Sequence, residues 1–230
     1  MTGQGAAAST SGGHGVVMAM YAAWPGSIAG RTTVHEGLTS ARILRRLSQP
    51  RYPIELFAND HALQICGTPC VTNTDDERSR IFIRVASSRG LDARLQRMLD
   101  DDATSHSSRI RDFRFLPFLF KLHALLTTSF ERALFIDTDL HVRQPTLVHG
   151  LLNRTLNLAE VAAPLDPHRL RDGAKEADDN FVAAPPLCTC LLAYRNTEQT
   201  RALWLGAAER LISVRHPSVR QSDQEVRAMQ

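Results

Sequence analysis

The sequence predicts an α/β domain with a mostly parallel central sheet flanked by helices. Three observations predict it. Short apolar runs alternate along the chain with segments of helical periodicity. The 230 residues, 43% apolar and 22% charged, supply the core of one large domain rather than two. One apolar run, Ala133 to Ile136, drives straight into Asp137-Thr138-Asp139, as strands of such sheets deliver polar groups to their carboxyl ends.

The elements follow in order. "GVVMAMYA" (Gly15 to Ala22) has the apolar density of a buried strand and closes on a turn at Pro25 and Gly26. "TSARILRRLSQ" places Ala41, Ile43, Leu44 and Leu47 on a helical stripe behind a Thr39/Ser40 cap. "PIELFAND" and "SRIFIRVAS" are the second and third strands, and "GLDARLQRMLDDD" is a helix with Leu91, Leu95 and Met98 on one side. In "LPFLFKLHALLTTSF", Phe118, Leu122, Leu125 and Leu126 recur at helical spacing. "RALFIDTD" is the fourth strand, "LNLAEVAAPLD" holds a short apolar run, and Pro186 to Asn196 forms a late strand. "NTEQTRALWLGAAERLIS" is a helix with Leu203, Trp204, Ala207, Ala208 and Leu211 on one face and an Asn196/Gln199 capping box. The polar stretch "HRLRDGAKEADDNFVAAPP" predicts a loop before the late strand.

A formal charge of +3 with scattered arginines gives no electrostatic footprint for nucleic acid. No apolar run approaches the ~20 residues that cross a bilayer. Residues 1–14, small and polar, lack the pattern of a secretory signal and predict a flexible tail. The domain then spans 15–230, and the helical start in "SDQEVRAMQ" predicts that it is incomplete at the C-terminus. Cys66 with Cys70 and Cys188 with Cys190 form close pairs. Their spacing suits zinc poorly, leaving disulfides or free thiols, so redox compartment stays open.

Asp137 and Asp139 carry the chemistry. Paired carboxylates lose hydration and repel, so a pair at a strand end calls for a cation, a shared proton or exposure. In an extended segment, positions i and i+2 point the same way, about 7 Å apart at Cα. Both carboxylates can then face one Mg²⁺ or Mn²⁺, which keeps positions for water and phosphate oxygens. The structural alternative is that Asp137 caps a turn and Asp139 is solvated.

"KLHALLTTSFERALFIDTDLHV" resembles the segment around the D-x-D motif of GT-A-fold nucleotide-diphospho-sugar glycosyltransferases, including the glycogenin-like family 8 enzymes and mannosyltransferase relatives. Lys121, Ala124, Leu125, Ser129, Phe130, Asp137 and Asp139 follow that pattern in order and spacing. The resemblance implies a metal-dependent hexosyltransferase of GT-A fold that moves sugar from a nucleotide diphosphate to a glycan or glycoprotein acceptor. It implies that Asp139 holds Mn²⁺ or Mg²⁺, that Asp137 meets the metal or the ribose, and that Lys121 pairs with a phosphate or with Asp137. It implies a donor-binding set of Tyr21, Lys121, Asp137 and Thr138, with Asn59 and Asp60 at the end of the second strand as candidates for base or ribose, which turn chemistry explains equally well. Cys188-Thr189-Cys190 stands where relatives carry an Asn-Thr/Ser-Gly stretch beside the donor sugar. "SDQEV" is similar to the family's Asp-Gln pair, so Asp223 and Gln224 are the acceptor-side catalytic candidates; Ser222 and Glu225 also make them the first turn of a capped helix. Most relatives work in the Golgi lumen, with which the sequon at Asn153 is compatible.

Two rivals stand beside this reading. A haloacid-dehalogenase-type phosphatase also ends a strand on D-x-D, with the first Asp as nucleophile, and Lys175 and Asp178-Asp179 would complete it. That motif opens its domain, whereas here more than half the chain comes first. A catalytically inactive nucleotide-sugar-binding module is the other rival.

Overall fold

The structure, a computed structural model, describes residues 13–48, 51–67, 81–86, 116–164 and 188–213. Residues 1–12 of the expected tail, the helix at Leu91, Leu95 and Met98, the polar loop with Lys175, and Asp223 and Gln224 lie outside the described residues, while His14, expected in the tail, opens the first strand.

Six strands form one sheet in the order β3-β2-β1-β4-β6-β5. They are β1 (His14–Met20), β2 (Ile54–Asn59), β3 (Ile81–Ala86), β4 (Arg132–Ile136), β5 (Val161–Ala162) and β6 (Leu191–Arg195). β1 pairs in parallel with β2 and β4, and β2 with β3, whereas β6 runs antiparallel to both neighbours. The late strand therefore enters the sheet from the end at which β1 and β4 leave it. That reversal brings Cys188, Thr189 and Cys190 to the carboxyl end of β4.

Alternation along the strands builds two cores. Val16, Met18, Met20 and Ala22, with Leu134 and Ile136, pack on one side against α1 (Ile28–Leu47). Val17, Ala133 and Phe135 pack on the other against α3 (Leu116–Thr127) and α5 (Glu198–Ser213). Between these elements lie α2 (Asp60–Cys66) and a short α4 (Leu147–His149) that continues as a π turn and a 3-10 turn. α3 is buried almost all round, from Leu119 to Leu126 apart from Lys121.

Two helix starts differ from the sequence expectation. α1 begins at Ser27, whose hydroxyl accepts from the Gly30 amide at 3.0 Å, and not behind Thr39/Ser40. Its buried stripe is Gly30, Val34, Gly37, Ala41 and Leu44, spaced for a helix but built largely from small residues. Leu47, expected inside, is exposed. The cap of α5 is shifted by one residue: the Thr197 and Thr200 amides each bond the other's hydroxyl, at 3.0 and 3.4 Å. That reciprocal pair takes the place of Asn196/Gln199, and Asn196 instead donates to the Thr128 carbonyl at 3.2 Å.

The turn from α3 to β4 hangs from a buried carboxylate. Glu55 accepts from the Thr128 hydroxyl at 2.7 Å and from the Ser129 hydroxyl and amide at 2.6 and 3.1 Å. Three donors offset the desolvation of a group only 1% exposed. Phe130 then lies over Gly15, where a Cβ would stand 2.3 Å from its ring. Cys188 and Cys190 are joined to each other, and Cys66 is disulfide-bonded too, so the described cysteines are paired rather than free. The sequon's Asn153 amide donates to the Tyr52 hydroxyl at 2.8 Å. Among the described residues no helix is long and apolar enough to cross a membrane.

Candidate functional site

A parallel sheet opens a crevice where the connections leave adjacent strands in opposite directions. Here that place is β1/β4: the chain runs from β1 outward to β2 and β3, then returns to lay β4 on β1's other edge. A cavity of about 370 Å³ lies there. Ala19, Tyr21 and Trp24 line one wall, and Ser27, Gly30 and Thr33 of the α1 start line another. Phe118, Phe120 and Lys121 of α3 close it opposite, with Phe135, Asp137 and Thr189 as floor.

Period-two alternation decides which of the D-T-D side chains reaches this cavity. Ala133, Phe135 and Asp137 share the α3 side of the sheet, and Lys121 meets Asp137 there, Nζ to Oδ1 at 3.0 Å and to Oδ2 at 3.3 Å. The same ammonium donates to the Thr189 carbonyl and sits 4.4 Å above the Phe135 ring. Asp137 extends the β4/β6 ladder through its amide, which donates to the Cys190 carbonyl at 2.9 Å. Thr138 turns to the α1 side, 8% exposed, with its carbonyl taking the Ser40 hydroxyl at 2.8 Å. The donor set expected from the sequence therefore splits: Tyr21, Lys121 and Asp137 line the cavity, and Thr138 does not.

The extended D-T-D segment is also corrected. β4 ends at Ile136, and the Leu140 amide bonds the Asp137 carbonyl at 3.1 Å, folding Thr138 and Asp139 into a turn. Asp139 is exposed on that turn and is not among the cavity-lining residues. Ser40 binds the turn a second time: having given its proton to Thr138, its hydroxyl must accept from Nδ1–H of His141, 2.8 Å away.

Asn59 is likewise reassigned. Its carbonyl accepts from the Ala22 and Ala62 amides at 3.0 and 3.1 Å, and its amide donates to the Ala22 carbonyl at 2.8 Å. With those groups engaged and the residue 3% exposed, it holds the protein backbone rather than a ligand. Tyr21 remains at the cavity wall, its ring 5.9 Å from that of Phe120 and its hydroxyl pKa raised by burial. Sequence reasoning missed Trp24 and Ser27 because they flank what the spacing makes a plain Pro-Gly turn, and Gly30 because it adds no apolar side chain to a helical stripe.

The electrostatics favour an anion. The N-terminus of α1 opens on the cavity with no acidic residue in its first turn, so its dipole is uncompensated there. Lys121 adds a cation across from it. Asp137 is a hard oxygen donor whose two oxygens both meet Lys121, and each carboxylate oxygen still has a lone pair for a second partner. Among the described residues no three His, Cys, Asp or Glu side chains converge on a metal position. Carboxylate oxygens, which Asp137 and Asp139 carry, are of the hard type that Mg²⁺ or Mn²⁺ takes, commonly one or two with water and phosphate completing the shell.

The class of fold is now defined: a six-stranded GT-A-like α/β fold with its crevice at β1/β4. In particular, it is similar to the apo form of mouse xyloside xylosyltransferase 1, with TM-score 0.51 and 10% identity over 94% of this chain and 80% of that one. The apo WbbM bifunctional glycosyltransferase is a more distant likeness, with TM-score 0.46 and 12% identity over 89% of this chain and 35% of that one. No family model matches the sequence, and no curated protein matches it.

Proposed function

We propose that this chain is a metal-dependent glycosyltransferase that takes sugar from a nucleotide diphosphate donor, uridine or guanosine based, and passes it to a glycan or glycoprotein acceptor. The observation that carries this reading is the Lys121–Asp137 pair on the floor of a switch-point cavity, with Asp139 on the adjoining turn. The likeness in fold to mouse xyloside xylosyltransferase 1 supports the class of fold. The secretory pathway follows only from the sequence resemblance.

Each residue has a task. Tyr21 and Trp24 offer aromatic faces to the base. Lys121 and the first turn of α1 hold the diphosphate by charge. Asp139, with Asp137, holds Mn²⁺ or Mg²⁺, which when bound supplies positive charge to offset that developing on the departing diphosphate. Asp137 also orients Lys121. Asp223 and Gln224 are the proposed acceptor-side groups.

Asp139→Ala tests this assignment. Titration calorimetry of uridine and guanosine diphosphates, with and without Mn²⁺, should show the Mn²⁺-dependent part of the affinity abolished. The melting temperature should stay unchanged, because the residue is exposed. Unchanged nucleotide affinity in the variant would defeat the site. Binding in the parent chain without hydrolysis or transfer would favour the inactive binding module, and phosphate release from simple esters the phosphatase.

A further inference from the structure

We infer that Asn59 is a positioning residue for the donor cavity: it fixes the β1–α1 loop by pairing its side-chain amide with the backbone of Ala22. The inference rests on the cavity being a donor pocket, but its first measurement does not.

The β1/β2 ladder has Met20 opposite Ala58 as its last partners. Beyond them β1 has left the ladder, and Ala22 would have an unpaired N–H and C=O at 1% exposure. Asn59 satisfies both, accepting from the amide at 3.0 Å and donating to the carbonyl at 2.8 Å. A side-chain amide here reproduces the donor and acceptor of a peptide unit, so the sheet is extended by one rung made from a side chain. The residues on either side of Ala22, Tyr21 and Ala23, both line the cavity, as does Trp24. Ala22 also bears on α1: a Cβ at Gly30 would stand 2.6 Å from its Cβ. The cavity wall from Tyr21 to Ser27 is thus held at Ala22, by Asn59 from the sheet and by Gly30 from the helix.

Asn59 also caps α2 through Ala62, so a substitution must separate the two duties. Asn59→Asp does so. A carboxylate is as good an N-cap as Asn and keeps both acceptor contacts. It cannot donate, and it sets a charged oxygen against the Ala22 carbonyl. When the introduced carboxyl is protonated it donates again, and burial beside a carbonyl moves that protonation above the ordinary Asp range of about 3.9. The ionisable groups adjacent in the chain, Tyr21 beside Ala22 and Asp60 and His61 on α2, are common to both proteins, so the ratio of variant to parent isolates the new group.

The experiment uses the full 230-residue chain. Hydrogen exchange in Asn59→Asp at neutral pH should be faster by about tenfold in Tyr21–Ser27, while α2 keeps its protection, as expected for loss of one buried hydrogen bond. Affinity for uridine or guanosine diphosphate with Mn²⁺ should fall by about tenfold, through a smaller competent fraction. The variant-to-parent affinity ratio should return toward one on acidification. Asn59→Ser, which keeps the cap but is too short to clamp Ala22, should behave likewise at neutral pH without the acid recovery, and it decides the matter if the Asp variant fails to fold. Unchanged exchange in Tyr21–Ser27, or α2 fraying as much as the loop, would overturn the inference and leave Asn59 a helix cap. Should the parent chain bind neither nucleotide, the proposed function falls, and the exchange data still decide the role of Asn59.

Discussion

Lys121 is held between a carboxylate, a carbonyl and an aromatic face, and such placement of a lysine needs three elements to be correct at once. The sequence offered Lys121, Asp137 and their shared motif, so this pair was legible. Thr189 as its third partner was not, because nothing local to β6 says that the strand runs backwards. Tyr194 makes the same point on the sheet's buried side. Its hydroxyl donates to the Leu125 carbonyl at 3.2 Å, and its pKa lies well above the ordinary 10.0, first because of burial and then because of the Glu55 charge. A raised folded-state pKa favours the protonated form in the native protein. Its stabilising contribution is complete below the ordinary value and is lost as pH rises through 10 toward the folded-state value. Tyr194→Phe should therefore cost about 1 kcal/mol at neutral pH, for the lost hydrogen bond. Its stability should fall less steeply than the parent's above pH 10, as denaturant titrations across that range would show.

At the scale of elements, α1 matters most and was least legible. Its first half, Ile28 to Leu38, holds two glycines and two threonines, and its buried positions include Gly30 and Gly37. Intrinsic propensity is poor there, and a search for large apolar side chains finds little. The small residues are what the packing needs. A Cβ on Gly37 would lie 2.8 Å from Met20 and 3.0 Å from Thr138, so its absence lets the helix press onto the strand ends and lets Ser40 reach the D-T-D turn. Strands β1, β2 and β4, by contrast, were plain from their apolar runs, since burial on both faces leaves little choice of residue. The Gly30 contact yields a clear expectation. Gly30→Ala must move Ala22, whose Cα as well as Cβ lies in the way at 3.1 and 2.6 Å. Overpacking of this kind costs about 1–3 kcal/mol. Nucleotide affinity should fall along with the melting temperature, whereas Gly206→Ala on the open face of α5 should leave affinity unchanged and raise the melting temperature slightly, through helix propensity.

For the whole molecule, topology does the assembling. α/β architecture followed from alternation alone, and the position of the crevice followed once strand order was known; the order itself was not readable, because parallel neighbours are chosen by long-range packing. The proposed acceptor-side groups, Asp223 and Gln224, lie outside the described residues, so the cavity bears only on the donor half of the proposed reaction.

The Cys188–Cys190 bridge has a practical consequence. By loop entropy, closing so short a span restricts the unfolded chain by only about half as much as a loop of about 15 residues. The bond is therefore a local latch on the Thr189 carbonyl rather than a general brace. Parent protein and a Cys188→Ser/Cys190→Ser double variant, both made in an oxidising host so that the Cys66 bond is kept, should melt within a few degrees of each other. They should differ in their hold on a nucleoside diphosphate, the double variant being weaker, and parent protein made in a reducing cytosol should be at least as weak. Equal affinities in all three preparations would show that the latch has no bearing on ligand capture.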